Sequence, residues 1–258
     1  MAQHKRPFIA GNWKMHGNKS QWQALASGIA KGVQAQRLDD RADVVICPPL
    51  PALVFVRDVL AHEDALAAVK LGAQNLYPGK EGPYTGEASP EMLRSVGCDY
   101  VIVGHSERRE ILSETDAFVA KKTIAALEEG LIPIVCIGEG EDVTDAAAFL
   151  EKQLTASLDG VGLESADEII IAYEPVWAIG NGKTATPDVI QKTTQAIRQT
   201  LETLYGDEIG RDIRILYGGS MKGENATEIM AVPEVAGGLI GGASLKAESF
   251  LQTIKNAC

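Results

Sequence analysis

The sequence predicts a (β/α)8 barrel, and three observations carry that prediction. Short apolar runs of strand length recur along the whole chain, helical patterns fill the gaps between them, and the runs are continuous rather than alternating. Continuous runs are typical of parallel strands that are buried on both faces. Strand followed by helix, repeated about eight times, closes naturally into a barrel. We therefore expect one domain over residues 1–258.

The predicted strands follow one another without an obvious linker. They are expected at Phe8–Asn12, Asp43–Cys47, Ala68–Ala73, Tyr100–Gly104, Ile132–Ile137, Glu168–Ala172, Ile213–Tyr217 and Val235–Ile240. An open doubly wound sheet would show the same alternation of elements. The barrel is favoured over that alternative because no G-x-G-x-x-G follows the first strand.

Two of the intervening helices have clear patterns. Apolar residues keep steps of three or four over 143–158 and again over 190–204. The second helix has a start signal, with Thr186 as N-cap, Pro187 at the first helical position and Asp188 in the first turn. Such helices are expected to return the chain from the end of one strand to the start of the next.

The composition excludes several classes of function. The 24 Lys and Arg residues are outnumbered by 35 Asp and Glu, for a net charge of -11. This balance argues against nucleic acid and anionic membranes as partners, whereas a local positive pocket can still bind a small anion. The polar N-terminus lacks the apolar region of a secretory signal, and no apolar stretch is long enough to span a bilayer. We expect a soluble, cytoplasmic protein.

The cysteines indicate a reducing compartment. None of the four belongs to a C-x-x-C pair, and no cluster with His suggests a metal site. Cys47 and Cys136 follow apolar runs, so they are expected to be buried free thiols.

Residues suited to acid–base chemistry come directly after predicted strands, where a barrel places its active site. Lys14 follows the first strand and could be a fixed cation or a solvated surface lysine. His105 follows the fourth strand, just before an expected helix. Because a helix N-terminus opposes positive charge, we expect this imidazole to be neutral and able to donate to a developing enolate. Glu107 and the two arginines after it could equally form a surface ion-pair cluster.

Glu174 follows the sixth strand and is a candidate general base. A stiff Pro175–Trp177 segment, an apolar tip over 178–180 and a pliable Gly182–Thr184 segment come after it. This is the composition of a lid with a hinge on each side. An apolar lid that closes over a carboxylate excludes water and strengthens it as a base.

Two glycine pairs predict an anion site. Gly218-Gly219-Ser220 follows the seventh strand, and Gly241-Gly242 follows the eighth. Glycines let backbone N–H groups approach an anion, and loops after these two strands form a frequent phosphate site in barrels. Ser220 has no nearby base in the sequence, so a hydrogen bond to phosphate is its better role.

These motifs together are similar to the triosephosphate isomerase family along nearly the full chain. The resemblance rests on Gly11–Lys14, Ala73–Asn75, Tyr84–Glu87, Val103–Arg109, Cys136–Glu139, Ala172–Gly180, Leu216–Ser220 and Gly241–Leu245. It implies interconversion of glyceraldehyde 3-phosphate and dihydroxyacetone phosphate in glycolysis and gluconeogenesis, without a cofactor or metal. It further implies that Glu174 is the base, His105 the electrophile and Lys14 part of the site. The substrate-binding residues that it implies are Asn12, Trp13, Lys14, Gly180, Ser220, Gly241 and Gly242.

The resemblance also implies a homodimer through the loop over residues 74–87, with Thr85 reaching the partner's site. The chain departs from the family in two places. Asn181 stands in the lid where Thr is usual, and Ala236 stands where Asp is usual. An aldolase-like lyase on the same scaffold would need a Schiff-base lysine on a strand, for which Lys70 is the candidate. A non-catalytic phosphate sensor or adhesin is the other alternative, and the presence of Glu174 and His105 argues against it.

Overall fold

Eight parallel strands close into a barrel in the computed structural model, which describes residues 6–179 and 183–258. Each strand pairs with the next along the chain, and β8 pairs with β1. The strands are β1 Phe8–Asn12, β2 Asp43–Cys47, β3 Val69–Ala73, β4 Tyr100–Val103, β5 Ile132–Ile137, β6 Ile170–Tyr173, β7 Arg214–Tyr217 and β8 Val235–Ile240. The predicted barrel is confirmed, and the open doubly wound sheet is wrong because β1 and β8 are hydrogen-bonded.

Helices surround the barrel in the described ranges. They are α1 Lys19–Ala35, α2 Leu53–His62, α3 Pro90–Ser95, α4 Ser106–Leu112, α5 Asp116–Glu128, α6 Ala146–Ser157, α7 Pro187–Gly210, α8 Ala226–Met230 and α9 Ala247–Ala257. The predicted start of α7 is confirmed, because the Thr186 side chain accepts from the N–H of Val189 and Pro187 is the first helical residue. The helix expected from residue 143 begins later, since Asp145 caps it by accepting from the N–H of Ala148.

The sixth strand also begins later than the sequence pattern predicts. Glu168 does not join the strand; it belongs to a short 3-10 turn that Ser165 caps. The Glu168 carboxylate accepts from the N–H groups of Glu164 and Ser165, at 2.7 and 3.0 Å. These local bonds take the backbone out of an extended conformation. β6 therefore begins only at Ile170; it runs to Tyr173, one residue past the predicted end, and Glu174 is the first residue after it.

The core has two parts. One cluster fills the barrel interior and includes Phe8, Ile102, Leu216 and Leu239, and the other lies between the strands and the surrounding helices. Successive side chains of a strand point into the two clusters in turn. Because both clusters are apolar, each strand appears in the sequence as a continuous apolar run. Cys47 and Cys136 belong to the inner cluster as buried free thiols, as predicted.

Cys98 is also buried and free, whereas Cys258, after the last helix, is exposed. Burial raises the pKa of Cys98 to about 12.

Closure between β1 and β8 depends on a glycine. Gly237 has φ +154°, and a Cβ at this position would lie 1.9 Å from the carbonyl oxygen of Phe8. Ala236, where the resemblance predicted a departure, is the residue just before this glycine. Glu234, two residues earlier, pairs with Arg198 of α7 at 2.9 Å.

The end of the barrel where the strands begin is held by an ion-pair group. Asp43, the first residue of β2, pairs with Arg6 at 2.6 Å and with Arg214 at 2.7 Å. Arg214 is the first residue of β7, so the carboxylate joins two strands that β1 and β8 separate. In barrels of this class, the interactions at this end serve stability.

We expect Asp43→Ala to lower the free energy of unfolding by about 2–3 kcal/mol, because it leaves the largely buried Arg214 guanidinium without its acceptor. Asp40→Ala is the matched control, since it removes an equally charged residue from an exposed pair with Arg37. The control should lower the free energy of unfolding by less than about 0.5 kcal/mol. Denaturant unfolding of both variants measures the difference, and equal losses would contradict a special role for Asp43.

Candidate active site

A cavity of about 420 Å³ opens at the end of the barrel where the strands finish. Loops after β1, β4, β6, β7 and β8 contribute to its wall. The sequence-predicted site residues that line it are Asn12, Lys14, His105, Glu174, Ser220, Gly241 and Gly242. Residues that lie far apart in the sequence therefore meet because each lies at the end of a strand or a few residues after it.

Glu174 is a buried carboxylate, with 2% of the residue exposed. Its Oε1 lies 3.0 Å from Nε2 of His105, and its Oε2 accepts from the N–H of Ser106 at 3.0 Å. Burial works to raise the pKa of this carboxyl, but the interactions with His105, the Ser106 N–H and Lys14 outweigh it and hold the pKa below its ordinary value. The side chain is therefore an anion at neutral pH despite its burial.

Two glycines allow the segment at Glu174 to pack this tightly. A Cβ on Gly138, which follows β5, would lie 1.8 Å from the carbonyl oxygen of Glu174. A Cβ on Gly218 would lie 2.7 Å from Cγ of Glu174. The N–H of Glu174 donates to the carbonyl of Ile137 at 2.7 Å, and the Gly218 N–H donates to the carbonyl of Tyr173 at 2.7 Å. The loops after β5, β6 and β7 thus form one rigid support.

His105 directly precedes α4, and its side chain accepts a hydrogen bond from a backbone N–H at the N-terminus of that helix. Its Nδ1 accepts from the N–H of Glu107 at 3.2 Å, which places the proton of a neutral ring on Nε2, facing Glu174. Burial lowers the pKa of His105, but the adjacent carboxylate of Glu174 outweighs it and raises the pKa above its ordinary value. The helix N-terminus alone predicts a neutral imidazole, whereas the carboxylate of Glu174, which is distant in the sequence, favours the protonated form.

Lys14 is held in an unusual backbone conformation. Its φ is +51°, in the left-handed region that residues with side chains rarely adopt. The Asn12 side chain accepts from the Lys14 N–H at 3.0 Å, and the Gln74 amide donates to the Lys14 carbonyl at 2.9 Å. The Lys14 ammonium pairs with Glu107 at 2.6 Å. Two amide side chains therefore fix the backbone that carries this cation, which is strain of the kind found at functional sites.

The two glycine loops follow the neighbouring strands β7 and β8 and line the cavity beside Glu174 and Lys14. Gly218, Gly219 and Ser220 line it after β7, and Gly241 and Gly242 line it after β8. Nothing lies within 4 Å of a Cβ built on Gly242, so the backbone there is open to an approaching group. A 3-10 turn over Gly242–Leu245 follows, with its N-terminal end at the cavity. N–H groups arranged in this way suit an anion.

The beginning of the predicted lid is tied down by a buried carboxylate. Glu139 accepts from the hydroxyl of Tyr173 and from Nε1 of Trp177, both at 2.9 Å. At the far end, the Tyr217 hydroxyl accepts from the N–H of Ala185 at 3.3 Å. Ile179 lines the cavity. The described residues on each side of the predicted lid are therefore held by separate hydrogen bonds.

Some sequence-predicted positions are not brought to the cavity. The Trp13 side chain is 1% exposed and packs in the outer core, away from the residues that line the site. The resemblance implied that Trp13 binds the substrate, but its side chain packs in the core and does not line the cavity with Asn12 and Lys14. Gly180 and Asn181 lie outside the described residues. Lys70, the candidate for a lyase, is exposed on β3 and does not line the cavity.

Sequence reasoning missed several groups that shape the site. The Ser106 N–H and the Gln74 amide have no local signal, because each acts on a residue more than fifty positions away. Glu139 could have been noticed as a carboxylate directly after a buried strand. Within residues 6–179 and 183–258, no group of three or more His, Cys, Asp or Glu residues is arranged to hold a metal ion.

Fold and site together define a (β/α)8-barrel enzyme equipped for acid–base chemistry. The family model described as "Triosephosphate isomerase" matches residues 7–257. The triosephosphate isomerase of Chloroflexus aurantiacus is 47% identical over 96% of this chain and 98% of its own. That of Carboxydothermus hydrogenoformans is 46% identical over 98% and 99%. The crystal structure of triosephosphate isomerase from Bartonella henselae superposes with a TM-score of 0.85 and 39% identity, covering 98% of this chain and 99% of that one. The chain belongs to the triosephosphate isomerase family.

We expect Glu174→Gln to lower the pKa of His105. The carboxylate that raises this pKa is then gone, whereas burial and the charge of Lys14, which lower it, remain. A pH titration of the imidazole ¹⁵N signals in both proteins measures the change and also reports which ring nitrogen carries the proton. Glu128→Gln, which neutralises an exposed carboxylate of α5, is the matched control and should leave the His105 titration unchanged. An unchanged His105 pKa would contradict the assigned coupling.

Proposed function

We propose that this chain interconverts D-glyceraldehyde 3-phosphate and dihydroxyacetone phosphate, with Glu174 as the base. The observation that supports this most is the meeting of Glu174, His105 and Lys14 at one cavity, beside two glycine loops. The first three suit proton transfer beside a carbonyl, and the glycine loops suit the phosphate of the same molecule. The reaction is a step of glycolysis and gluconeogenesis. It is redox-neutral and moves only protons, so we propose that no cofactor or metal takes part.

Glu174 removes the proton from the carbon beside the carbonyl and returns it to the neighbouring carbon. In the described arrangement its oxygens are hydrogen-bonded to Nε2 of His105 and to the N–H of Ser106, so the carboxylate must turn toward the substrate. Its lowered pKa favours the ionised form that a base requires. General base catalysis of this kind contributes roughly 10²–10⁴-fold.

His105 and Lys14 stabilise the negative charge that develops on the substrate oxygens. The Nε2 proton of His105 faces Glu174 in the described arrangement, and it donates to the oxygen that becomes an enediolate once the carboxylate has turned toward the substrate. Lys14 supplies a fixed positive charge on a backbone that Asn12 and Gln74 hold in place. A donor that is already oriented costs no reorganisation during the reaction.

The phosphate is bound by backbone N–H groups rather than by a dense set of cations. We propose Ser220, Gly241 and Gly242 as its ligands, together with Gly180 of the lid and the nearby charge of Lys14. Closure of the lid excludes water, which strengthens these interactions and protects the intermediate. Asn12 orients Lys14; Trp13 contributes packing behind them.

We expect Glu174→Ala to lower kcat by about 10²–10⁴-fold, since it removes the proposed base. Glu128→Ala is the control, because it deletes an exposed carboxylate of α5 and should leave kcat unchanged. A coupled assay with glyceraldehyde 3-phosphate measures both. Parent-level turnover by Glu174→Ala would remove this residue from the mechanism. Absence of turnover in the parent would favour the phosphate sensor instead.

We also propose a homodimer through the loop over residues 74–87. Residues 81–87 are all exposed, so the tip of this loop projects from the barrel. Beside it a groove of about 520 Å³ opens next to Lys14 and His105. Apolar side chains on the wall of the groove include Met15, 93% exposed, and Ile111, 75% exposed. Exposed apolar side chains in a group mark an association surface, and the loop of a second copy would cover them, with Thr85 nearest the partner's site.

The proposed compartment is the cytoplasm. Three of the four cysteines are buried as free thiols, which suits a reducing environment. No described helix is both long and apolar enough to cross a membrane.

We expect Ile111→Glu to shift the protein from dimer to monomer, because a carboxylate would be buried against apolar groups of the second copy. Leu66→Glu introduces the same charge at an exposed leucine outside the groove and should leave the mass unchanged. Sedimentation equilibrium of the parent and both variants measures the masses. A monomeric parent, or an Ile111→Glu dimer as tight as the parent, would contradict the proposed interface.

A further inference from the structure

In the loop after β7, the side-chain amide of Asn225 forms hydrogen bonds with the backbone on both sides of Met221. Oδ1 of Asn225 accepts from the N–H of Lys222 at 2.8 Å. Nδ2 of the same side chain donates to the carbonyl of Ser220 at 2.9 Å. Met221, between these two bonds, is buried and packs close to Gly238 of β8. One side chain thus fixes the two peptide groups that follow Ser220.

The usual task of an asparagine at this position would be to cap the helix that follows. Asn225 directly precedes α8, yet its side chain makes no capping hydrogen bond to that helix. Both functional groups of the amide instead face backward along the chain, toward the cavity wall. The side chain is therefore used for the shape of the loop and not for the start of the helix.

The two hydrogen bonds of Asn225 restrain the part of the loop that lies beyond the glycine pair. Gly218 is already held by its N–H, which donates to the carbonyl of Tyr173, and that bond does not reach the peptide groups after Ser220. With its carbonyl bonded to Asn225, Ser220 retains its N–H and its hydroxyl as donors for an anion. Pre-orienting these donors removes an ordering cost from binding.

We propose that Asn225 is a positioning residue for the phosphate group, acting through Ser220. This rests on the proposed function of the cavity. Asn225 does not touch the substrate; it holds the Ser220–Lys222 backbone so that the Ser220 donors point into the cavity. Loss of the amide should therefore weaken the interaction with phosphate specifically and leave the proton-transfer groups intact, since those belong to the loops after β1, β4 and β6.

Asn225→Ala tests this with three measurements. The competitive inhibition constant of inorganic phosphate should rise about 10-fold, since one hydrogen bond to a charged group is lost or misdirected. The kcat/KM for glyceraldehyde 3-phosphate should fall by a similar factor. Deuterium exchange at C2 of glyceraldehyde, which has no phosphate, should change less than twofold. Equal losses in both reactions would overturn the proposal in favour of a general structural role, and so would an unchanged inhibition constant.

Asn256→Ala is the matched control. Its amide donates to the carbonyl of Gly223 in the same loop, at 2.7 Å, but it does not bond to Ser220 or Lys222. Its inhibition constant for phosphate should stay within twofold of the parent, and a 10-fold rise would show that any loosening of the loop suffices.

If Asn225→Ala does not fold, Asn225→Ser removes the amide with a smaller structural change. It should show the same selective weakening of phosphate binding, and the same results would overturn the proposal. Phosphate binding to either variant can also be measured by calorimetry without turnover. A failure of the proposed isomerase activity is therefore distinguishable from a failure of the role given to Asn225.

Discussion

An ionised carboxylate that is almost completely buried needs partners, and this requirement shapes the mouth of the barrel. The anion of Glu174 is stabilised by the imidazole of His105 and by the backbone N–H of Ser106. Both partners follow β4, whereas Glu174 follows β6, so the charge is tolerated only while these strands keep their places. Barrel closure provides that constraint, because every strand is held on both sides. In the proposed reaction, the carboxylate exchanges these hydrogen-bond partners for the substrate.

The sequence predicted the barrel because its signal is repeated and physical. Each strand is buried on both faces, so it appears in the sequence as a continuous apolar run. Prediction was less accurate at the start of β6 and at the start of α6. There Glu168 and Asp145 bond to nearby backbone N–H groups, and short-range bonds of this kind are not visible in a hydrophobic pattern. The strand-end rule nevertheless located most residues of the candidate site, because topology brings the ends together whatever their separation in sequence.

The rest of the site could not be predicted, for a different reason. Gln74 and Asn225 form hydrogen bonds with backbone carbonyls, and every residue has a backbone carbonyl, so the sequence does not indicate which one is bound. Trp13 shows the opposite error, since a residue placed between two cavity residues has its side chain in the core. Adjacent residues at the end of a strand point in different directions, so neighbourhood in sequence does not carry a role from one to the next. Side-chain direction is settled by packing, which only the folded arrangement supplies.

The distribution of the cysteines has a practical consequence. Three thiols are enclosed by the core, and the fourth, Cys258, is exposed at the end of α9. The last helix leads the chain away from the mouth of the barrel, so that thiol lies toward the face opposite the cavity. A surface, a fluorophore or a force-measuring tether joined to Cys258 would hold every molecule in one orientation, with the mouth of the barrel directed into solution. The fold therefore carries its own means of attachment, at a distance from the groups on which the proposed chemistry depends.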